Sequence, residues 1–279
     1  MLRDITIGQY YDVESVVHKL DPRTKIIATV VYIVSLFCVK NILGFALAGI
    51  GLLTAVKLAR IPLKFILRGL KTIMVLLLFT VVLNIFLVEG TPIVKWGFIS
   101  ISKEGIYTAV FMAARLVLLI IGCSMMTLTT TPIQLTDGIE RLLRPLKKIK
   151  VPVHDIAMMM SIALRFIPIL LEETDKIMKA QTARGADFES GGLVQKAKSL
   201  IPVLVPLFIS AFRRADELAT AMEARCYHGD EGRTRMKELK YRTRDYVAKA
   251  CLLIFLVGLI LSRYLPSVTS IGVFFLSKW

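Results

Sequence analysis

The sequence has 279 residues, 55% of them apolar and only 20% charged, with a mean hydropathy of +0.65. That balance excludes an ordinary soluble globular domain. Lys and Arg still outnumber Asp and Glu by 36 to 21, a net charge of +15, so the basic residues must collect outside the apolar runs, as they do on cytoplasmic loops of membrane proteins. Nucleic-acid binding would need this charge on a soluble face free of long apolar stretches, and none is present.

Residues 1–25 form an N-terminal segment in which Arg3, Asp4, Asp12, Glu14 and Asp21 precede any apolar run. This order is not that of a cleaved signal peptide, and the mature protein is expected to begin at Met1. Residues 26–131 hold four expected membrane helices: Ile26 to Val39 and Ile42 to Val56, separated by Lys40 and Asn41, then Thr72 to Val88, and Gly105 to Thr131 with Arg115 inside it. The first two runs fall short of the roughly 20 residues that a span needs. Residues 247–279 supply a fifth span, Val247 to Leu261, and an apolar tail from Tyr264 to Ser277 that is too short to cross.

The loops set an expected orientation. Lys57, Arg60, Lys64, Arg68 and Lys71 lie between the second and third spans without an acid, whereas Glu89 to Glu104 balances two lysines with two acids. The first loop is therefore read as cytoplasmic, with the N-terminus and residues 132–246 on the same side and Trp96 outside. Basic clusters at both ends of 132–246 agree: Arg141, Arg144, Lys147, Lys148 and Lys150 at one, Arg233 to Arg244 at the other.

Within that segment, Val151 to Leu171 and Ser199 to Phe212 are apolar enough to pass for spans. The first contains His154, Asp155, Arg165 and Pro168, the second Pro202 and Pro206, and both continue into charged helical sequence. Met158, Ile162, Phe166 and Ile169 make one apolar stripe, and Leu193, Ala197, Ile201, Leu204 and Phe208 another. These helices are read as amphipathic, lying at the membrane base and packed stripe to stripe; two further spans would keep the same parity.

The two helices end alike. Residues 41 apart match at Asp175 and Asp216, Ala180 and Ala221, Ala183 and Ala224, and Arg184 and Arg225, leading into Gly185 and Cys226. An arginine at a helix C-terminus is favoured by the dipole, so capping alone would explain one such ending. Two matching endings point instead to two docking points, because a guanidinium fork recognises a partner's carboxylates or carbonyls. Ala211, Ala215 and Ala219 either permit close helix approach or simply favour helix. Arg115 is a functional candidate as an ionisable group within a span, or else a structural pair for a neighbouring helix.

Other chemistries find no support. Cys38, Cys123, Cys226 and Cys251 are scattered, His18, His154 and His228 are far apart, and no Gly-x-x-x-x-Gly-Lys-Ser/Thr loop is present, so no metal site, catalytic residue, cofactor or nucleotide site is expected. A self-sufficient permease or an intramembrane enzyme remain as alternative readings, with few polar residues in the spans to build either.

His18-Lys-Leu-Asp-Pro-Arg-Thr-Lys25, Thr127 to Pro132 with Asp137-Gly138, Met158 to Pro168, Ala183 to Gly192 and Phe212 to Glu217 together resemble the transmembrane (T) component of energy-coupling factor transporters, the EcfT/CbiQ family. The resemblance implies an all-α polytopic membrane protein of about five spans with a cytoplasmic module of long coupling helices, in a bacterial cell membrane. It implies partners too: two ATP-binding cassette ATPases, a substrate-binding membrane (S) subunit for a vitamin or trace metal, and the lipid bilayer. Ala183, Arg184 and Gly185, with Ala224, Arg225 and Cys226, match the ATPase-docking motifs, and Cys226 stands where glycine is usual.

Overall fold

Asp21 starts the first helix. Its carboxylate accepts the Arg23 N–H and Pro22 takes the first helical position, so α1 runs Pro22–Cys38, earlier than the apolar run alone indicates. This computed structural model describes residues 10–39, 41–88, 91–96, 99–188, 192–227, 229 and 239–264. Lys40, His228, Arg233, Arg235, Lys237 and the tail after Tyr264 lie outside them.

Helix α2, Ile42–Ala59, ends where Arg60 turns left-handed at φ 55°. Helix α3, Leu63–Leu87, begins well before Thr72, because Lys64, Arg68 and Lys71 are good helix formers that an apolar criterion passes over. It bends by 59° between Lys64–Lys71 and Ile73–Leu87. The stretch read as a plain loop carries an antiparallel ribbon, β1 Pro92–Trp96 and β2 Ile99–Ser102, with Lys95 opposite Ser100. Ser102 closes the ribbon and opens α4, Lys103–Thr129: its hydroxyl donates to the Val88 carbonyl and accepts the Gly105 N–H. Thr131 and Gln134 then bond each other's backbone N–H, a reciprocal cap that starts α5, Pro132–Leu143.

A 3₁₀ segment, Arg144–Ile149, follows. Helix α6, Val153–Ala183, and α7, Leu193–Ala224, are long and unbroken despite Pro168, Pro202 and Pro206, and α8, Thr243–Tyr264, completes the order. The chain is an all-α polytopic membrane protein. Among the described residues five helices are long and apolar enough to cross a bilayer, α2, α4, α6, α7 and α8, and the two arms of the bent α3 make a sixth when taken as one span. Length and composition thus admit α6 and α7 as spans.

The chain divides into two compact units, one from Ile139–Glu238 and the other from Gly8–Gly138 with Leu239–Trp279. In the second, Leu52, Val56, Ala59, Ile66, Met125 and Leu128 form one buried cluster, and Leu36, Val39, Phe45, Ala48 and Leu259 another. Gly122 lets α4 pass the Tyr32 ring of α1, since a Cβ there would lie 2.6 Å from it. Outward apolar side chains such as Val75, 78% exposed, suit a protein whose solvent is lipid.

Candidate functional site

The two matched helix ends have the same backbone. At α6, the Gly185 N–H donates to Thr182 O at 2.9 Å and the Ala186 N–H to Gln181 O at 3.0 Å; at α7, Cys226 N–H donates to Glu223 O at 2.8 Å and Tyr227 N–H to Met222 O at 3.1 Å. Both are Schellman endings, with Arg184 and Arg225 at the C-cap and the next residue left-handed, Gly185 at φ 89° and Cys226 at φ 55°. Cys226 therefore keeps the turn despite its side chain. Ala183, Arg184 and Gly185, like Ala224, Arg225 and Cys226, are exposed, and among the described residues neither arginine side chain bonds to another group.

The helices bearing these ends are tied together. Pro206 has no N–H to give the Pro202 carbonyl one turn earlier, and Gln181 Nε2 donates to that oxygen at 3.3 Å. Arg214 pairs with Glu173 at 3.2 Å, so α7 runs back along α6. Met158, Ile162, Phe166 and Ile169 of α6 are half-buried, as their spacing suggests.

The stripe expected on α7 is a correction. Ile201, Leu204 and Phe208 face outward, Phe208 being 65% exposed, while Val203 at 3% and the half-buried Leu207, Arg214, Leu218 and Met222 form the inner face. Between Ser199 and Phe212 the helix is apolar all round, so a 3.6-residue period fits two faces and does not choose between them. Leu204, Val205, Phe208, Ile209 and Phe212 line an open apolar groove of about 470 Å³. Ala215 and Ala219 are exposed, while Ala211 is half-buried.

Arg115 belongs to α4. Its guanidinium donates to the carbonyl of Val39, the C-cap of α1, at 3.0 Å and lies 5.5 Å from the Phe45 ring centre, so it caps the end of α1. No three His, Cys, Asp or Glu side chains among the described residues are grouped to hold a metal ion.

Sequence reasoning missed the most connected polar site. His18-Lys-Leu-Asp-Pro-Arg-Thr-Lys25 folds into a buried knot with the end of α4 and the start of α8. The Asp21 N–H donates to Asp245 Oδ1 at 2.7 Å, and Asp245 Oδ2 also accepts the Arg242 N–H at 2.8 Å. Arg23 holds Asp21 through two side-chain bonds, reaches the Leu239 carbonyl at 3.0 Å, and lies over the Tyr241 ring at 4.0 Å. Lys25 Nζ donates to Thr129 O at 2.7 Å and His18 O at 3.1 Å; His18 Nε2 lies 3.0 Å from Tyr11 O, which only accepts, leaving Nδ1 to take the Ser15 hydroxyl proton. Gly138 belongs here too, since a Cβ would lie 2.9 Å from Ile26 and 3.0 Å from Pro22.

Electrostatics follow from this enclosure. Burial lowers Lys25 to about 8, against the favourable charges of Asp245 and Asp21. Burial, then the charge of Lys25, lowers His18. Burial alone would raise Asp21, but the bonds from Arg23 and the charges of Arg23 and Lys249 outweigh it and hold the carboxyl below its ordinary value.

The family model described as cobalt transport protein, CbiQ, matches residues 13–236. Proteins named energy-coupling factor transporter transmembrane protein EcfT are 58% identical over 265 residues in Clostridium kluyveri, covering 94% of this chain and 98% of the relative. The one in Ruminiclostridium cellulolyticum is 58% identical, covering 95% and 99%, and the one in Bacillus subtilis 48%, covering 92% and 99%. The chain belongs to the EcfT/CbiQ family. Within this family's framework, the motif residues separate into a closed set, the knot around Asp21, and an open set at the ends of α6 and α7. The relatives are named as components of a transporter, and with its apolar helices the chain is a multi-pass bacterial membrane protein of that kind.

Proposed function

We propose that the chain is the coupling subunit of an energy-coupling factor importer, itself without catalytic activity. Two ATP-binding cassette subunits dock one each on Arg184 and Arg225, and their ATP-driven motion passes through α6 and α7 to a separate membrane subunit that binds the vitamin or trace metal. On this reading the N-terminus and residues 132–246 are cytoplasmic, and α6 and α7 lie at the membrane base. Their outward apolar face, around Phe208, then meets hydrocarbon or the substrate-binding subunit rather than water.

One observation carries the reading. Two helices related by a sequence repeat end in turns with the same hydrogen-bond pattern, each offering an exposed guanidinium that bonds to no group among the described residues. A capping arginine needs neither the duplication nor the exposure.

Co-purification of the ATPases with tagged chain tests it. Arg184→Glu or Arg225→Glu should each weaken assembly, and the pair together should nearly abolish it, since losing a buried, paired charge costs about 2–5 kcal/mol while a solvated arginine contributes below about 1 kcal/mol. A double variant that retains full assembly and ATP-driven uptake would overturn the docking model.

A further inference from the structure

The elbow between α2 and α3 has an anchored backbone and bare cations. Ala59, Ile61 and Ile66 are buried in the cluster they share with Leu52, Met125 and Leu128. Arg60 makes the turn at φ 55°, its N–H on the Lys57 carbonyl at 3.1 Å, and the Phe65 N–H on the Pro62 carbonyl at 3.0 Å starts the next helix. Around this backbone Lys57, Arg60, Lys64 and Lys71 are exposed, and among the described residues none of the four side chains bonds to another group. No Asp or Glu occurs between Asp21 and Glu89.

The helices that carry these cations set their depth. On α2, Ile50, Leu53 and Lys57 fall on one face by helical spacing, and the first two are exposed as lipid-facing side chains are, Ile50 to 63%. Lys57 therefore stands about 6 Å along the axis past Leu53. The headgroup layer on each side of the hydrocarbon is about 5–8 Å thick, so Lys57 lies within it. On α3, exposed Met74 and Val75 follow Lys71 within about one turn. Lys64 and Lys71 share the face of the short arm that points away from buried Ile66. In a straight, upright helix Lys64 would stand about 10 Å beyond Lys71. The 59° bend between Lys64–Lys71 and Ile73–Leu87 cuts that climb to about half, keeping both lysines near phosphate level.

Unpaired ammonium and guanidinium groups at that depth, with exposed Leu58, Phe65 and Leu67 among them, have the chemistry of an interfacial anchor: the apolar side chains meet the acyl boundary and the basic ones meet phosphates. We propose that the α2–α3 elbow, through Lys57, Arg60, Lys64 and Lys71, is a docking surface for anionic phospholipid headgroups. An acidic soluble protein would have to enter the headgroup layer to reach Lys57, which is why lipid is the occupant. The assignment uses none of the residues given to the ATPases and holds whether or not Arg184 and Arg225 dock them.

The test uses the full chain in nanodiscs of equal parts phosphatidylcholine and phosphatidylglycerol, with the four native cysteines replaced by serine. A bimane label is placed on Leu67→Cys, at the elbow, or on Leu87→Cys, at the other end of α3 and 71% exposed. Each is quenched by spin-labelled phosphatidylglycerol or by the same mole fraction of spin-labelled phosphatidylcholine. At position 67 the anionic lipid should quench about threefold more strongly or better, as several basic side chains near the surface would cause; at position 87 the two should quench alike. Lys57→Gln/Arg60→Asn/Lys64→Gln/Lys71→Gln should abolish the preference, and Lys57→Arg/Lys64→Arg/Lys71→Arg should keep it. Equal quenching by the two lipids at position 67, the same preference at both positions, or a preference that survives in the quadruple variant overturns the proposal. A quadruple variant that keeps the lipid preference and loses ATPase co-purification also overturns it, giving the elbow to a protein partner. Should that variant fail to insert, the comparison of positions 67 and 87 with all four cations in place decides alone.

Discussion

The knot around Asp21 and the ends of α6 and α7 are both made of charged residues in short motifs, yet they are opposite in state. Asp245, 2% exposed, spends both carboxylate oxygens on backbone N–H groups, one of them 224 residues away, and Lys25 spends its ammonium on two carbonyls. Arg184 and Arg225 are exposed and bond to no group among the described residues. Burial makes a polar group expensive to leave unpaired, so the knot holds the spans in register. On the proposed docking, the charges left in the open do their work outside the chain. Motif membership alone does not separate these roles; engagement does.

The largest effect should come from opening the closed region. Asp245→Ala strands two buried N–H donors and should cost about 3 kcal/mol or more, read as a drop in the detergent melting temperature. Arg184→Glu with Arg225→Glu should leave that temperature unchanged. Similar melting of the two variants would erase the contrast.

A second test uses pH. Lys25 sits at about 8 in the folded chain against an ordinary 10.5, so between these values the unfolded chain holds more protons and stability rises with pH. Wild type should therefore gain melting temperature from pH 8 to 10.5 relative to Lys25→Met, which lacks the titrating group. Parallel curves would mean that Lys25 is not buried as a charge.

The smallest effect concerns the turn at Cys226. A non-glycine residue at φ 55° is strained, so Cys226→Gly should be neutral or stabilising by up to about 1 kcal/mol, while Cys226→Val should destabilise. Slower amide exchange at Tyr227 in the glycine variant measures it; faster exchange would show that the thiol, not the backbone, holds this end.

Much of the helical plan was legible in the sequence, because the caps are local: Asp21 before Pro22, Gly185 after Arg184. The repeat was legible too, since identical endings need only be aligned. What was hidden involved either distance or ambiguity. Nothing in spacing links Asp21 to Asp245, and an all-apolar turn such as Leu204 to Phe208 carries no mark of which side faces in. The early start of α3 was missed because lysines and arginines favour helix as well as water.

Gln181 gives the hairpin a mechanical character. Pro202 and Pro206 each delete a rung from the α7 ladder, so this helix is most compliant at its middle, between the apolar face and Arg225. The struts across to α6 are a neutral amide bond at Pro202 and a half-exposed ion pair at Glu173, each worth on the order of 1 kcal/mol or less. Neither polar strut by itself fixes the angle between the two helices. On the proposed docking, a displacement at the Arg225 tip would be taken up first as flexing of α7 at its two missing rungs, without unfolding the helix.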